Sequence, residues 1–94
     1  MNVVWDPDKA RANLRKHGID FADAAIALED ENALTLATIE NGEYRFKTLA
    51  LSPTSNVLLI IHAEDNEDTI SIISARKANT LQKNQYYEGS YHER

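Results

Sequence analysis

The sequence contains no cysteine. Disulfides, thiolate nucleophiles and cysteine-ligated zinc or iron–sulfur sites are therefore excluded together. Glycine and proline are scarce, with three and two residues, which argues against a collagen-like or low-complexity chain. The longest apolar run, Val57 to Ile61, is far too short to cross a bilayer, and no basic region followed by an apolar stretch opens the chain. We therefore expect a cytoplasmic protein that does not enter a membrane and whose stability comes from packing.

The length and composition fit one globular domain. The chain has 94 residues, of which 43% are apolar and 27% charged, and this is typical of a folded domain of modest size. We expect the domain to span residues 1–94, with a core at about 3–88 and a frayed tail over 89–94.

Positive charge is in the minority. Ten Lys and Arg residues stand against 15 Asp and Glu, a net charge of -5, which argues against an indiscriminate binder of polyanions. The acids are clustered, however, with seven between Gly18 and Glu43 and four between Glu64 and Asp68. Three net-basic segments lie elsewhere: Met1–His17, Tyr44–Ala63 and Thr69–Lys83. They either form a positive site on a negative body or remain scattered solvated charges.

Capping signals and hydrophobic periodicity predict an α+β fold. Asp6-Pro7 begins and Gly18 ends a helix over Pro7–His17, and Asp20 caps a second helix from Phe21 to about Leu28. Four strands are predicted, at Ala33–Ile39, Tyr44–Leu51, Val57–Ala63 and Thr69–Ala75. A last helix is predicted from Lys77 to about Tyr87. We expect the two short N-terminal helices and the C-terminal helix to pack on a four-stranded antiparallel sheet with one partly open face. The segment Asn2–Trp5 is compatible with a short edge strand.

Two histidines occur in contexts that allow two interpretations each. His62 follows four aliphatic residues in the most apolar strand, where it is either a core residue or a proton-transfer group with a lowered pKa. On the first helix, Lys9, Asn13 and either Lys16 or His17 share one stripe at spacings of three and four. That stripe is either an anion site or a solvated helix face.

Three cationic side chains belong to the predicted sheet. Arg45 and Lys47 share one face of a strand, and Arg76 lies where the last strand meets the last helix. A guanidinium group matches phosphate oxygens well, although a structural salt bridge is an equal alternative for each of the three. No pair of histidines has the spacing of metal ligands, and the acidic segment Glu64–Asp68 lacks the pattern of an EF-hand. We expect no metal and no cofactor.

Taken in order, five motifs resemble the BrnT family, small bacterial ribonuclease toxins of type II toxin–antitoxin pairs. They are Trp5–Ala10, Asn13–Ile19, Phe21–Ala24, Tyr44–Phe46 and Ile72–Ala78, and the resemblance covers about residues 3–88. It implies a compact RelE-like fold and a metal-independent endoribonuclease that inhibits translation and growth. It also implies a BrnA-type ribbon-helix-helix antitoxin, operator DNA bound only through that antitoxin, and a dimer or a heterotetramer with it.

The resemblance implies that the candidate residues act in RNA cleavage. Metal-independent RNA cleavage by the ribose 2′-hydroxyl needs a general base, a general acid and cations that stabilise the phosphorane. His17 or His62 is the candidate base or acid, and Arg45 and Arg76 are the candidate phosphate and transition-state stabilisers. The candidate RNA-binding residues are Lys9, Lys16, Lys47, Lys77 and Tyr86. Tyr86 or Tyr87 is the candidate to supply a proton or to stack on a base.

The sequence departs from the typical pattern of the family at its C-terminal end. Typical members carry more basic residues there, whereas this chain has neutral residues at Thr69, Ser71, Asn79, Gln82 and Asn84. A weakly active or inactive relative that acts as a binding partner in an antitoxin and operator complex is therefore the alternative function.

Overall fold

The computed structural model describes residues 1–93. Along the chain they form β1 (Asn2–Val4), α1 (Pro7–His17), α2 (Phe21–Ala27), β2 (Leu34–Glu40), β3 (Glu43–Leu51), β4 (Val57–Asn66), β5 (Thr69–Lys77) and α3 (Thr80–Glu88). Among these residues no helix has the length and apolar character needed to span a bilayer.

The strands form one sheet of five in the order β1-β5-β4-β3-β2. The antiparallel succession from β2 to β5 is as predicted. The prediction of a four-stranded, purely antiparallel sheet is wrong, because β1 pairs in parallel with β5, with Val3 opposite Ile70. The amide of Asn2 donates to the carbonyl of Asp68 at 2.6 Å and helps to fix this edge. This pairing joins distant parts of the chain, so no local pattern encodes it.

The helix α1 has the bounds that its capping residues predict. The Asp6 carboxylate accepts a hydrogen bond from the amide of Asp8 at 2.8 Å, next to proline in the first turn. At the other end Gly18 has a φ of 73°, a left-handed conformation, and its amide donates to the carbonyl of Leu14 at 2.9 Å. These local contacts explain why the helix stops at His17.

The C-terminal helix α3 begins later than predicted. Lys77, the predicted first residue, still belongs to β5 and pairs with Leu58. The helix is capped instead by Asn79, whose side chain accepts from the amide of Gln82 at 2.8 Å while the Gln82 side chain accepts from the amide of Asn79 at 2.9 Å. This capping box is present in the sequence as Asn-x-x-Gln.

Each face of the sheet carries its own apolar cluster. On the face that we call the α1–α2 face, a cluster built from the helices and the sheet comprises Ile19, Phe21, Ala24, Ala27, Ala50, Leu58, Ile60, Ile72 and Ala75. On the opposite face, the α3 face, Leu49, Val57 and Leu59 pack with Tyr86. Because α3 is short, it covers only one end of that face.

The tail after Gly89 differs from the frayed end that we expected. Residues 90–93 form no helix or strand, but Tyr91 packs against the cluster on the α3 face. Glu93 forms an ion pair with Lys47, at 3.0 Å. The tail therefore contacts the sheet rather than extending into solvent.

Candidate nucleic-acid interface

The part of the α3 face that α3 leaves free bears three cations. Ile61 of β4 pairs with Lys47 on one side and with Ser74 on the other, and Leu59 pairs with Arg76. Alternation along the strands places Arg45 on the same face as Lys47, and Arg76 on the same face as Ser74. We call the part of the α3 face that bears Arg45, Lys47 and Arg76 the cationic face.

The three cations differ in their ion pairs. The Arg45 guanidinium donates to the Glu43 carboxylate at 2.6 Å, and the Lys47 ammonium donates to the Glu93 carboxylate at 3.0 Å. Arg76 donates to the carbonyl of Lys77 at 3.3 Å and forms no ion pair with any residue in 1–93. Arg76 is thus the cation whose charge is least compensated by a direct partner, and an arriving anion does not have to displace a carboxylate paired with it.

The first helix brings a second group of cations to the edge of this face. Lys9, Lys16 and His17 line a shallow depression together with Ser74. Ser74 lies two residues before Arg76 on the same face of β5, a separation of about 7 Å along a strand. The structure therefore places His17 and the two lysines at the border of the cationic face.

Asn13 lines the same depression, but its amide group is bonded to the protein backbone, so the stripe of α1 is not simply a solvated helix face. The Asn13 side chain is buried, and its Nδ2 donates to the carbonyls of Ala75, at 2.8 Å, and Ile19, at 3.0 Å. In return the amide of Ala75 donates to Asn13 Oδ1 at 3.1 Å. The amide group thus satisfies the backbone of β5 beyond its pairing with β1 and fixes α1 against this strand, next to Arg76.

His62 lies on the face of the sheet opposite to the cationic face. It is 4% exposed, its Nε2 lies 2.8 Å from Thr48 Oγ1, and its ring stacks on Phe46 with the ring centroids 5.6 Å apart. These contacts are on the α1–α2 face, so the sheet separates His62 from Arg45 and Lys47. Of the two histidines, His17 is the one that borders the cationic face.

Burial of His62 predicts a pH-dependent stability. Burial lowers the pKa of His62 to about 4, so the unfolded chain binds a proton between that value and about 6.5 while the folded protein does not. The contribution of the neutral His62 to the free energy of unfolding is therefore fully present above about pH 6.5, and it is lost as the pH falls toward 4. We expect a loss of about 2 kcal/mol in the free energy of unfolding between about pH 7 and pH 5.

Urea unfolding at a series of pH values measures this loss. In His62→Gln, where a neutral amide replaces the imidazole, the same interval should show a much flatter profile. Equal slopes in the wild type and in His62→Gln would contradict the assignment.

Tyr86 and Lys77 do not join the cationic face. Tyr86 is 7% exposed, and its hydroxyl donates to the Asp30 carboxylate at 2.5 Å, while burial and this hydrogen bond raise the pKa of Tyr86. It docks α3 on the sheet and cannot stack on a base, which corrects its predicted role. Tyr87 is exposed, but together with Lys77 and Lys83 it lines a separate depression.

The sequence had no signal for the partners of Asn13 and Tyr86, because both contacts join residues far apart in the chain. Within residues 1–93 no group of three or more His, Asp or Glu residues is placed to hold a metal ion. The chemically active groups at the cationic face are guanidinium, ammonium and imidazole. The fold and this surface define a class: small α+β proteins with a partly open, cationic sheet face that suits phosphate esters.

The comparisons with known proteins make the assignment specific. The family model described as "Ribonuclease toxin, BrnT, of type II toxin-antitoxin system" matches residues 5–81, and the chain belongs to this family. The crystal structure of the Brucella abortus ribonuclease toxin, BrnT, is similar, with a TM-score of 0.69 and 27% sequence identity over 85% of this chain and 99% of that one. A comparison with curated proteins gives no match. The resemblance inferred from the motifs is confirmed, and membership in a type II system implies an antitoxin partner.

Proposed function

We propose that the chain is an endoribonuclease that binds RNA phosphates on the cationic face. The observation that carries this proposal is the position of Arg45, Lys47 and Arg76 on one partly open face, with His17 at its border. Clustered cations provide most of the affinity of a protein for a polyanion. Most of the acidic residues lie elsewhere in the sequence, although Glu43 pairs with Arg45 and Glu93 with Lys47, so Arg76 supplies the positive charge that has no ion-pair partner within residues 1–93.

In the reaction we propose, His17 accepts the proton of a ribose 2′-hydroxyl, and the 2′-oxygen attacks the adjacent phosphorus. The bond from phosphorus to the 5′-oxygen breaks, that oxygen takes a proton from water, and His17 returns the proton that it accepted to the solvent. The products are a 2′,3′-cyclic phosphate and a free 5′-hydroxyl. Arg76 and Arg45 stabilise the additional negative charge on the phosphorane, and this role lets the reaction proceed without a metal ion. Lys9, Lys16 and Lys47 position the flanking phosphates.

The antitoxin in this proposal is a BrnA-type ribbon-helix-helix protein. It neutralises the toxin in the cytoplasm, and operator DNA is bound only through it, in an assembly such as two toxins with two antitoxins. Family membership supports the existence of the partner. Co-expression with the product of the neighbouring reading frame, followed by measurement of the mass of the purified complex, tests both its identity and the stoichiometry.

His17→Gln is expected to reduce RNA cleavage about 100-fold or more, because general base catalysis contributes on that scale. Binding of RNA should persist, since the lysines and arginines remain. Purified wild-type and variant proteins are compared on a labelled RNA, and the ends of the products are analysed for a cyclic phosphate and a free 5′-hydroxyl. Arg11→Gln is the matched control, because Arg11 lies on the outer side of the same helix, paired with Asp8.

Two outcomes would count against the proposed nuclease. If the wild type leaves RNA intact and does not arrest growth, yet forms a stable complex with the antitoxin, the chain is the inactive binding partner considered above. If His17→Gln cleaves as fast as Arg11→Gln, the chain is a nuclease but His17 is not its base.

A further inference from the structure

The segment Ser90–Glu93 crosses the cationic face after α3 ends. Tyr91 packs against the apolar cluster on the α3 face, and its hydroxyl donates to Glu93 Oε2 at 3.0 Å. The other carboxylate oxygen, Oε1, accepts from the Lys47 ammonium at 3.0 Å. Both oxygens of Glu93 therefore have donors, and one donor is a predicted RNA-binding cation.

The surroundings of Glu93 favour its ionised form. The hydrogen bond from Lys47 lowers the pKa of Glu93, burial opposes this effect, and the Tyr91 hydroxyl and the charges of Lys47 and Arg76 lower the pKa further. The carboxylate is thus negatively charged at neutral pH and lies in the field of two cations of the cationic face. The positive charge of Arg76 likewise acts on Tyr91, lowering its pKa against the larger effect of burial, which raises it.

A carboxylate in this position resembles a bound phosphate. It has the same sign of charge and offers acceptor oxygens to the same ammonium group. The Lys47 ammonium has three N–H donors and Glu93 uses one of them, but a phosphate bound to the same ammonium would lie beside the ionised Glu93 carboxylate, and the two negative charges repel each other. The Glu93 carboxylate and an RNA phosphate therefore compete for Lys47.

We propose that Tyr91–Glu93 is an autoinhibitory segment that holds a carboxylate at the phosphate position beside Lys47 and Arg76. This inference rests on the proposed function, because it assigns regulation to the same surface. The segment leaves when RNA binds, so it lowers the affinity for RNA rather than abolishing it. Such displacement is feasible because the Glu93 side chain is 36% exposed and that of Lys47 23% exposed, and partly solvated ion pairs are weak.

Binding of a 2′-O-methyl RNA oligonucleotide, which cannot be cleaved by attack of the 2′-oxygen, tests the proposal by fluorescence anisotropy. Glu93→Gln is expected to bind about threefold to fivefold more tightly than wild type, the scale of one partly solvated ion pair lost by the competitor. Tyr91→Phe should act in the same direction with a smaller effect. The matched control is Glu88→Gln, which changes the net charge equally on an exposed residue at the end of α3 and should change affinity less than about twofold.

The variant Lys47→Met separates the inference from the proposed function. We expect it to weaken RNA binding and to eliminate the difference in affinity between the wild-type chain and Glu93→Gln, since the competition occurs at Lys47. If Lys47→Met weakens binding but Glu93→Gln behaves like Glu88→Gln, the autoinhibitory segment is wrong and the RNA surface stands. If Lys47→Met leaves binding unchanged both alone and combined with Glu93→Gln, Lys47 does not bind RNA, and the inference, which depends on Lys47, is overturned while the roles of Arg45 and Arg76 are untouched.

A second measurement does not use RNA. The pKa of the Glu93 carboxyl, followed by NMR, should lie below its usual value in the wild type and rise in Lys47→Met. Titration with inorganic phosphate should shift the signals of Tyr91 and Glu93 in the wild type, because phosphate displaces the carboxylate. An unchanged pKa in Lys47→Met would contradict the contact on which the inference depends.

Discussion

Replacing Arg76 by alanine is expected to eliminate growth arrest on induction in bacteria and to lower RNA cleavage by about 100-fold or more, the usual cost of removing a group that stabilises transition-state charge. Arg76 is half-buried on the cationic face and has no ion pair within residues 1–93. Its guanidinium is therefore available to a phosphorane without prior loss of a partner. Colony counts after induction and cleavage rates of the purified protein measure the two effects.

Two further variants make this result specific. Arg15→Ala removes the same charge from the exposed side of α1 that points away from Asn13 and β5, so it should retain growth arrest and cleavage. Arg76→Lys keeps the charge but loses the planar pair of donors, and it should recover only part of the activity. Full toxicity of a well-expressed Arg76→Ala protein would refute the assignment of Arg76.

Asn13→Ala is expected to lower the free energy of unfolding by about 3 kcal/mol, because one buried amide makes three hydrogen bonds and its loss leaves buried backbone groups without partners. For a domain of this size we expect the melting temperature to fall by about 15 °C. The carbonyls of Ile19 and Ala75 and the amide of Ala75 are the groups affected. Thermal and urea unfolding measure the change.

The control for this variant is Asn84→Ala, on the exposed surface of α3, which should change stability by less than about 0.5 kcal/mol. Asn13→Asp is a second probe, because a carboxylate cannot donate to the two carbonyls that Asn13 now satisfies. It should be at least as destabilising as Asn13→Ala. If Asn13→Ala and Asn84→Ala melted at the same temperature, the bond between α1 and β5 would not stabilise the fold.

Two elements with local signals were predicted well, whereas the start of α3 was missed although its capping box, Asn79 with Gln82, is also local. The helix α1 follows from its caps, and the turn between β2 and β3 follows from Asn41-Gly42, which adopt φ angles of 52° and 78°, the positive values that a tight hairpin turn requires. The family followed from motifs within such elements. The candidate cations Arg45, Lys47 and Arg76 also emerged from the sequence, since the residue types and the strand alternation are local properties.

Other features depend on contacts between distant residues. The parallel strand β1 pairs with β5 near the opposite end of the chain. Asn13 bonds to Ala75, which lies 62 residues later in the sequence, too far for any periodic pattern to indicate the contact. A histidine in an apolar strand allowed both a core and a catalytic interpretation. Only the sheet register, which puts His62 against Phe46 and Thr48, decided for the core.

By itself the sequence determined the class of the protein, the ends of α1, the β2–β3 hairpin, and the types of side chain available for phosphate chemistry, because capping, turn and alternation preferences act within a few residues. The tertiary structure alone decided which of these side chains meet. It placed His62 on the other face of the sheet from the arginines. It buried Asn13 and Tyr86 in hydrogen bonds that hold α1 and α3, and it placed Glu93 in an ion pair with Lys47. The physical reason is that burial and ion pairing depend on distance in space, which strand order and packing set and which position along the chain does not show.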